Sequence, residues 1–321
     1  MHILVIGGAG YIGSHVVKEL LQQGVKVTVF DDMSTGQTEN LFEAATFVKG
    51  NILDVPTLEQ VMSQDVDGVI HLAAKKAVGE SMENPEKYAV NNIMGTLNIL
   101  NAMAKFNVKN FVFSSSAAVY GMPEYVPLDE KHPTNPINFY GFTKLEIERF
   151  LPWYDQLKEI KWIALRYFNA VGYDKDGDVK GLEKNPQNLL PIVMETAVGM
   201  RSGMKIFGKD YDTPDGTCVR DYIHVSDLAS AHWASIQYLV QGGESQSLNL
   251  GTGKGISVLE MVQETEKIIG HKINYDFAER RLGDPALLVA TSHQAQEVLG
   301  WIPCHSDLDN IIQTTWKMYQ K

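Results

Sequence analysis

Ile3 to Ile6 form an unbroken apolar run, the pattern of a parallel strand covered on both faces. The period then lengthens, with Ile12, Val16, Val17, Leu20 and Leu21 recurring at helical spacing until Gly24, a residue suited to end a helix. Val25 to Phe30 make a second apolar run. "GVIHLAA" (68–74) reads as a buried strand, "EKYAVNNIMGTLNILNAMAKF" (86–106) as one long helix and "NFVFSSS" (110–116) as another strand. A helix beginning near Tyr140 and a strand in "KWIALRYFNAVG" (161–172) continue the series. Repeated strand and helix units predict an α/β chain built on a doubly wound parallel Rossmann sheet.

After Gly172 the alternation gives way to "GYDKDGDVKGLEKNPQN", a polar stretch rich in Gly and Asp of the kind that is often functional. "SLNLGTG" (247–253) then looks like a strand returning to the main sheet. The expected division is a Rossmann domain at 1–171 with returning segments near 215–251, and a smaller C-terminal α/β lobe within 172–321 that binds substrate. No solenoid period or low-complexity segment interrupts it.

Composition narrows the function. At 321 residues and 44% hydrophobic, the chain is long enough for a large core. Its formal net charge of -11 argues against nucleic acid or an anionic membrane as a partner, so any anionic ligand must be held by a local basic pocket. Cys218 and Cys304 are too few for a disulfide framework or a thiolate metal site, which fits a cytoplasmic protein. There is no visible export signal or membrane-spanning stretch. His224 and His232 bring no companion ligands at metal spacings, so no metal is expected. "GTGKG" is too short to cradle a nucleoside triphosphate.

Gly7, Gly10 and Gly13 lie at the first strand-to-helix turn. A pyrophosphate needs helix N-terminal N–H groups and a backbone bare enough to approach. The triplet alone is equally a tight turn, but Asp31 ends the second strand, where a carboxylate accepts both ribose hydroxyls and repels a 2′-phosphate. The combination points to NAD rather than NADP.

Tyr140 and Lys144 share a helix face at i and i+4. So do Tyr154 and Lys158, but these lie beyond Pro152, which should kink or end the helix, and are expected on a solvated surface. Tyr140 follows the strand ending at Ser116, at the end of the sheet where ligands bind. A phenol near pH 10 is a poor base, whereas a neighbouring ammonium and a nicotinamide cation favour phenolate. Such a phenolate can take a hydroxyl proton while the carbon gives up hydride, with Ser116 donating a hydrogen bond to the reacting oxygen.

Gly7-Gly8-Ala9-Gly10-Tyr11-Ile12-Gly13, the Ser116, Tyr140 and Lys144 triad and "FVFSSSAAVYG" resemble the extended short-chain dehydrogenases/reductases. "HLAAKKAVGES", "NPQNLLP", "IFGKDYDTPDGTCVRDYIHVSDLA", "NLGTGKG" and "RRLGDPA" narrow the likeness to the UDP-glucose (UDP-galactose) 4-epimerases, nearly end to end. The resemblance implies tightly held NAD, transient oxidation at C4 of a UDP-hexose, rotation of the sugar about its diphosphate and return of hydride to the other face. It implies Tyr140 as acid/base with Ser116 and Lys144. Gly7, Gly10, Tyr11, Ile12, Gly13, Asp31, Asn51, Ile52, Lys76, Asn91 and Phe168 become cofactor positions, with Lys76 also near the nucleotide phosphates. Asn169, Asn188, Leu189 and Tyr222 become UDP-sugar positions, Phe207 packs on uracil, Arg220 and Arg281 clamp the diphosphate, and Asp284 meets the uridine ribose. A homodimer through the helices near 86–106 and 140–151 is implied as well. Read without the motif, Arg220 beside Asp221 is a surface ion pair.

Three positions depart from the family pattern. Asn51 stands where an aspartate usually meets adenine, which weakens that contact, and Phe139 replaces the proline before Tyr140. Leu288 stands where either a tyrosine or a smaller residue sets the width of the sugar pocket, so N-acetylated UDP-hexosamines are expected as secondary substrates. A 4,6-dehydratase or uronate decarboxylase is the near rival, but Ala117 and Ala118 supply no acids for dehydration. A silent NAD or nucleotide-sugar sensor is the rival from another class, and retention of both Tyr140 and Lys144 argues against it.

Overall fold

A computed structural model describes residues 1–183, 186–281 and 283–320; Lys184, Asn185 and Leu282, which fall in three of the quoted segments, lie outside them. The strands are β1 (His2–Ile6), β2 (Lys26–Asp31), β3 (Thr46–Lys49), β4 (Gly68–His71), β5 (Asn110–Ser114), β6 (Lys161–Tyr167), β7 (Asn169–Val171), β8 (Met204–Phe207), β9 (Val219–His224), β10 (Gln246–Leu250), β11 (Gly255–Ser257), β12 (Tyr275–Ala278) and β13 (Leu287–Leu288). Seven of them form one parallel sheet in the order β10-β6-β5-β4-β1-β2-β3. The order reverses between β1 and β4, which opens a crevice at the carboxyl ends of those strands.

Strand alternation builds a core on each face. Ile3 and Val5 point to one side, against Val16 and Leu20 of the helix Tyr11–Gln22 and Leu228 and Ile236 of the helix Val225–Val240. Leu4 and Ile6 point to the other, with Leu58, Ile99, Ile147 and Leu151. Both faces being covered explains why β1 reads as a continuous apolar run. Among the returning segments, β10 pairs with β6 and the helix Val225–Val240 lies on the sheet, whereas β9 belongs elsewhere. The chain also comes back later than the sequence suggests, because Ala295 and Trp301 enter the same core.

β9 is the spine of a second sheet, antiparallel to β11 and parallel to both β7 and β13, while β8 and β12 pair separately. A smaller core of Tyr173, Leu190, Met194, Tyr222 and Ile311 supports it. The acidic loop after β7 is tied to the helix Tyr11–Gln22 by Lys18, whose ammonium lies 2.6 Å from Asp174, 2.9 Å from Asp176 and 3.0 Å from Asp178.

Two helices differ from expectation. The stretch 86–106 is not one regular helix: Pro85–Tyr88 and Gly95–Lys105 flank a π-helical segment at Ala89–Met94. The buried Asn92 within it accepts from the Lys75 N–H at 2.9 Å and donates to the Lys75 carbonyl at 3.0 Å. The wider turn brings this amide onto the loop after β4, a use typical of such bulges. The helix Phe139–Lys158 also runs through Pro152 without ending. Leu151 in the core and Tyr154 packed against it hold both sides of the proline, which offsets the missing hydrogen bond. Tyr154 is therefore half-buried, its hydroxyl donating to Asn101, and it stands apart from Tyr140.

The joint between the two sheets rests on Asp221. Its buried carboxylate accepts from the N–H groups of Thr252, Gly253 and Ala290 and from the Thr252 hydroxyl, so it faces away from Arg220. Burial pushes its carboxyl up to about 6 against the lowering effect of these donors. Asp221→Ala leaves the donors unpaired and should cost about 3 kcal/mol, read as a lower urea midpoint; an unchanged midpoint would show that the joint does not depend on it.

Candidate functional site

The crevice is built first from the glycine turn. Gly7 donates to the Phe30 carbonyl at φ +86°, and a Cβ there would lie 2.6 Å from the Ala73 nitrogen. At Gly13 a Cβ would lie 2.1 Å from the Gly7 carbonyl oxygen. Gly10 opens the helix Tyr11–Gln22 without a capping side chain, so the N–H groups of the first turn have no side-chain acceptor. That is the arrangement a pyrophosphate completes.

Asp31 stands beside this turn, accepting from the Ala9 N–H at 3.0 Å and the Met33 N–H at 2.9 Å. Burial raises its pKa, and those two N–H groups pull the other way. Each oxygen keeps a free lone-pair direction for a ribose hydroxyl. Asn51 donates to Asp32 at 2.9 Å and accepts from the Leu53 N–H at 2.9 Å, so its side chain is already partly engaged. Ile52 is buried beneath Gly95, where a Cβ would come within 2.3 Å of it. Tyr11 uses its hydroxyl on the Gly172 carbonyl and its ring against His15 and Tyr173. Its side chain thus joins the helix to the acidic loop, and Ile12 packs against the main core. These residues fit a dinucleotide: an uncapped helix end, a backbone without Cβ atoms and a carboxylate at the second strand.

The reactive groups meet at the end of β5. Asn138 caps the helix Phe139–Lys158 by accepting from the Gly141 N–H, and the Tyr140 N–H donates to Ser81 at 3.1 Å. The Ser116 hydroxyl accepts from the Ala118 N–H at 3.2 Å and stands close enough to the Tyr140 phenol to favour its ionised form. Lys144 is buried, its ammonium donating to the Ser114 carbonyl at 2.6 Å and lying 5.8 Å from the centroid of the Tyr140 ring. Burial lowers Lys144 to about 7, opposed by the charge of Glu148. Burial raises Tyr140, and the Ser116 hydrogen bond opposes that rise. The expected depression of the phenol by Lys144 is therefore not among the influences of the protein's own groups, which are burial and Ser116.

The second lobe carries the remaining candidate residues. Arg220 donates to Asp284 at 3.3 Å and to the Pro285 carbonyl at 2.8 Å. It is paired with Asp284, not Asp221. The Arg281 guanidinium lies over the Phe207 ring at 3.9 Å. Asn169 donates to the Asp221 carbonyl at 3.0 Å, Asn188 precedes the helix Leu189–Ala197 without capping it, and Leu189 packs into the small-lobe cores. Tyr222 is buried, which raises its phenol. Phe168 and Leu288, expected on the cofactor side and the sugar side, pack on one cluster with Val119 and Leu145. Lys76 pairs with Glu183 across the crevice, while Asn91 donates to Asn92. Ser81 and Asn92, which orient Tyr140 and the Lys75 loop, were not singled out in the sequence; their signal is a small polar side chain that the fold buries.

Comparison with known proteins bears on this geometry. The profile of the NAD dependent epimerase/dehydratase family matches residues 3–251. A UDP-glucose 4-epimerase of Lacticaseibacillus casei is 44% identical over 322 residues, covering 100% of this chain and 97% of that protein. The crystal structure of UDP-glucose 4-epimerase from Brucella ovis in complex with NAD has a TM-score of 0.97 at 43% identity, covering 99% of this chain and 98% of that one. The enzyme from Bifidobacterium longum in complex with NAD+ and UDP has a TM-score of 0.93 at 39% identity, covering 100% and 98%.

Because a Cβ at Gly13 collides with backbone, Gly13→Ala should weaken dinucleotide binding at least tenfold, roughly 1.4 kcal/mol or more, while the chain still folds. Calorimetric titration with NAD is the check, and unaltered affinity would remove the turn from the binding site.

Proposed function

We propose, on the premise that the chain belongs to the NAD dependent epimerase/dehydratase family, that it interconverts UDP-galactose and UDP-glucose at the end of β5. The observation that supports the reading is that Ser116, Tyr140 and Lys144 stand at the end of β5 and the uncapped glycine turn at the end of β1, on the same edge of one parallel sheet. Bound NAD supplies the hydride acceptor and donor that make oxidation and re-reduction at C4 a closed cycle.

The protein's share is proton transfer and positioning. Tyr140 removes the O4 proton and returns it after the sugar has turned over; Ser116 donates to O4 throughout. Lys144, when protonated, supplies the positive charge that favours phenolate and can donate to a ribose hydroxyl. Arg220 and Arg281 hold the diphosphate through paired donors, Phe207 packs on the uracil ring and Asp284 accepts from the uridine ribose. For Arg220 to bind phosphate it exchanges the long contact with Asp284 for a stronger one. Asn169, Asn188, Leu189 and Tyr222 line the remaining sugar-nucleotide surface, with Lys76 near the phosphates. Ala117 and Ala118 bring no acid to the reacting sugar, which favours epimerisation over dehydration.

Leu288 is intermediate in bulk and packs with Phe168, which supports secondary turnover of UDP-N-acetylhexosamines. A homodimer is supported by exposed apolar side chains on the two helical segments: Val90 and Met94 on one, Phe142, Trp153 and Leu157 on the other. Sedimentation of a monomer at micromolar concentration would remove that part of the proposal. No helix among the described residues is long and apolar enough to cross a membrane, and the cysteine usage supports a cytoplasmic setting.

Proton NMR of the purified protein with UDP-galactose should show UDP-glucose appearing without added NAD; no conversion even after NAD addition would overturn the reading. Tyr140→Phe should lower kcat by roughly 100- to 10,000-fold. Leu288→Ala should raise turnover of UDP-N-acetylgalactosamine relative to UDP-galactose, and absence of that turnover in both proteins would sink the role of Leu288.

A further inference from the structure

The helix Phe139–Lys158 carries a third polar residue on the Tyr140 and Lys144 face, Glu148, one turn beyond the lysine. Three consecutive serines at the end of β5 meet these side chains one by one. The Ser114 carbonyl accepts from Lys144, the Ser115 hydroxyl donates to Glu148, and Ser116 stands beside the Tyr140 phenol. Behind Glu148 stands Arg166 of β6, with Nε 3.0 Å and 3.1 Å from its two oxygens and a further donation from Nη2. Arg166 also donates to the Tyr120 hydroxyl at 3.0 Å, which in turn donates to Asn249 at 2.6 Å, and Ser247 donates to Glu148 at 3.3 Å. Glu148 and Arg166 are both more than nine-tenths buried. The glutamate therefore receives donors from β5, β6 and β10 together.

We propose that Glu148 is a positioning residue for the epimerisation: anchored by Arg166 and Ser115, it is the buried anion that keeps the Lys144 ammonium charged behind Tyr140. The proposal rests on the functional reading above only for its effect on turnover. Among the described residues the Ser114 carbonyl is the one hydrogen-bond acceptor of Lys144, and the Phe113 ring 4.7 Å away adds a weak cation–π attraction, which leaves a nearby anion as the stronger influence toward the charged form. The charge of Glu148 is the influence that raises it against burial. His71 of β4 is lowered to about 3 by burial and by Lys144, so it is neutral. Tyr167 of β6, Tyr120, and Tyr88 on the neighbouring short helix are phenols raised by burial and stay neutral. Arg166 is kept charged, since its bonds to Glu148 outweigh its burial, and Glu130 is raised by burial and bonds the Asn249 N–H. Glu80 lies at the surface on Lys87 and Tyr88.

Loss of the Glu148 charge lowers the pH at which Lys144 gives up its proton. Activity that needs the ammonium is present below that pH and is lost as pH rises through it, so the alkaline limb of the kcat profile moves to lower pH. The test is Glu148→Gln and Glu148→Asp in the full chain, using carbon-13 NMR of labelled lysines, with the Lys144 signal assigned by its loss in Lys144→Met. The expected result is a Lys144 midpoint and a kcat limb both lowered by roughly one pH unit in Glu148→Gln and restored in Glu148→Asp. An unchanged Lys144 midpoint, whatever happens to Tm or kcat, overturns the proposal and leaves Glu148 as a structural anchor for Arg166. If Glu148→Gln does not fold because Arg166 is left unpaired, Glu148→Gln with Arg166→Gln is compared with Arg166→Gln alone, and the lower Lys144 midpoint expected in the double variant reports the Glu148 charge. A wild-type protein that fails to epimerise would overturn the functional reading, while the NMR titration would still decide the coupling.

Discussion

The burial of one lysine organises the rest of the site. A charged amine is costly to remove from water, and Lys144 is held where burial, opposed by the charge of Glu148, brings its pKa down to about 7. Everything packed around it has a matching consequence. The Ser114 carbonyl takes its proton donor, two aromatic rings border it, and the Glu148–Arg166 pair lies one turn further along the helix. A buried ion pair of this kind is a weak source of net stability. Its value here is placement, since it fixes the helix against β5 and β6 at the depth where Tyr140 meets Ser116.

The same constraint explains why the acid/base chemistry depends on what is bound. The protein's own groups leave Tyr140 raised and Lys144 lowered, an order of proton loss that keeps the phenol protonated at neutral pH. Shifting that order requires positive charge next to the phenol and negative charge next to the lysine. A cationic nicotinamide is a charge of the first sign, so on the function proposed above cofactor binding favours the phenolate.

Much of this was legible in the sequence, for identifiable reasons. Apolar runs marked β1 and β2 because strands covered on both faces have no polar side to alternate with. Glycine spacing marked the turn because close backbone approach excludes a Cβ at Gly7 and Gly13. The i and i+4 spacing of Tyr140 and Lys144 marked a shared face, but Tyr154 and Lys158 have the same spacing. What separated the pairs was the preceding strand and not the pattern itself. Pro152 misled, because a propensity to break helices is overridden where Leu151 and Tyr154 pack against the core.

Local order along the chain was therefore determined by the sequence: which runs become strands, where the backbone must be bare and which helix carries the reactive pair. Tertiary structure alone decided the partners. Arg220 stands beside Asp221 in sequence yet pairs with Asp284, while Asp221 turns to the N–H groups of Thr252, Gly253 and Ala290. Asn92 widens its helix to reach the Lys75 backbone, and Glu148 finds Arg166 on a strand whose place beside β5 and β10 the spacing does not encode. Periodicity describes one element at a time. Hydrogen bonds and charges between elements depend on distances that exist only after the sheet has closed around them.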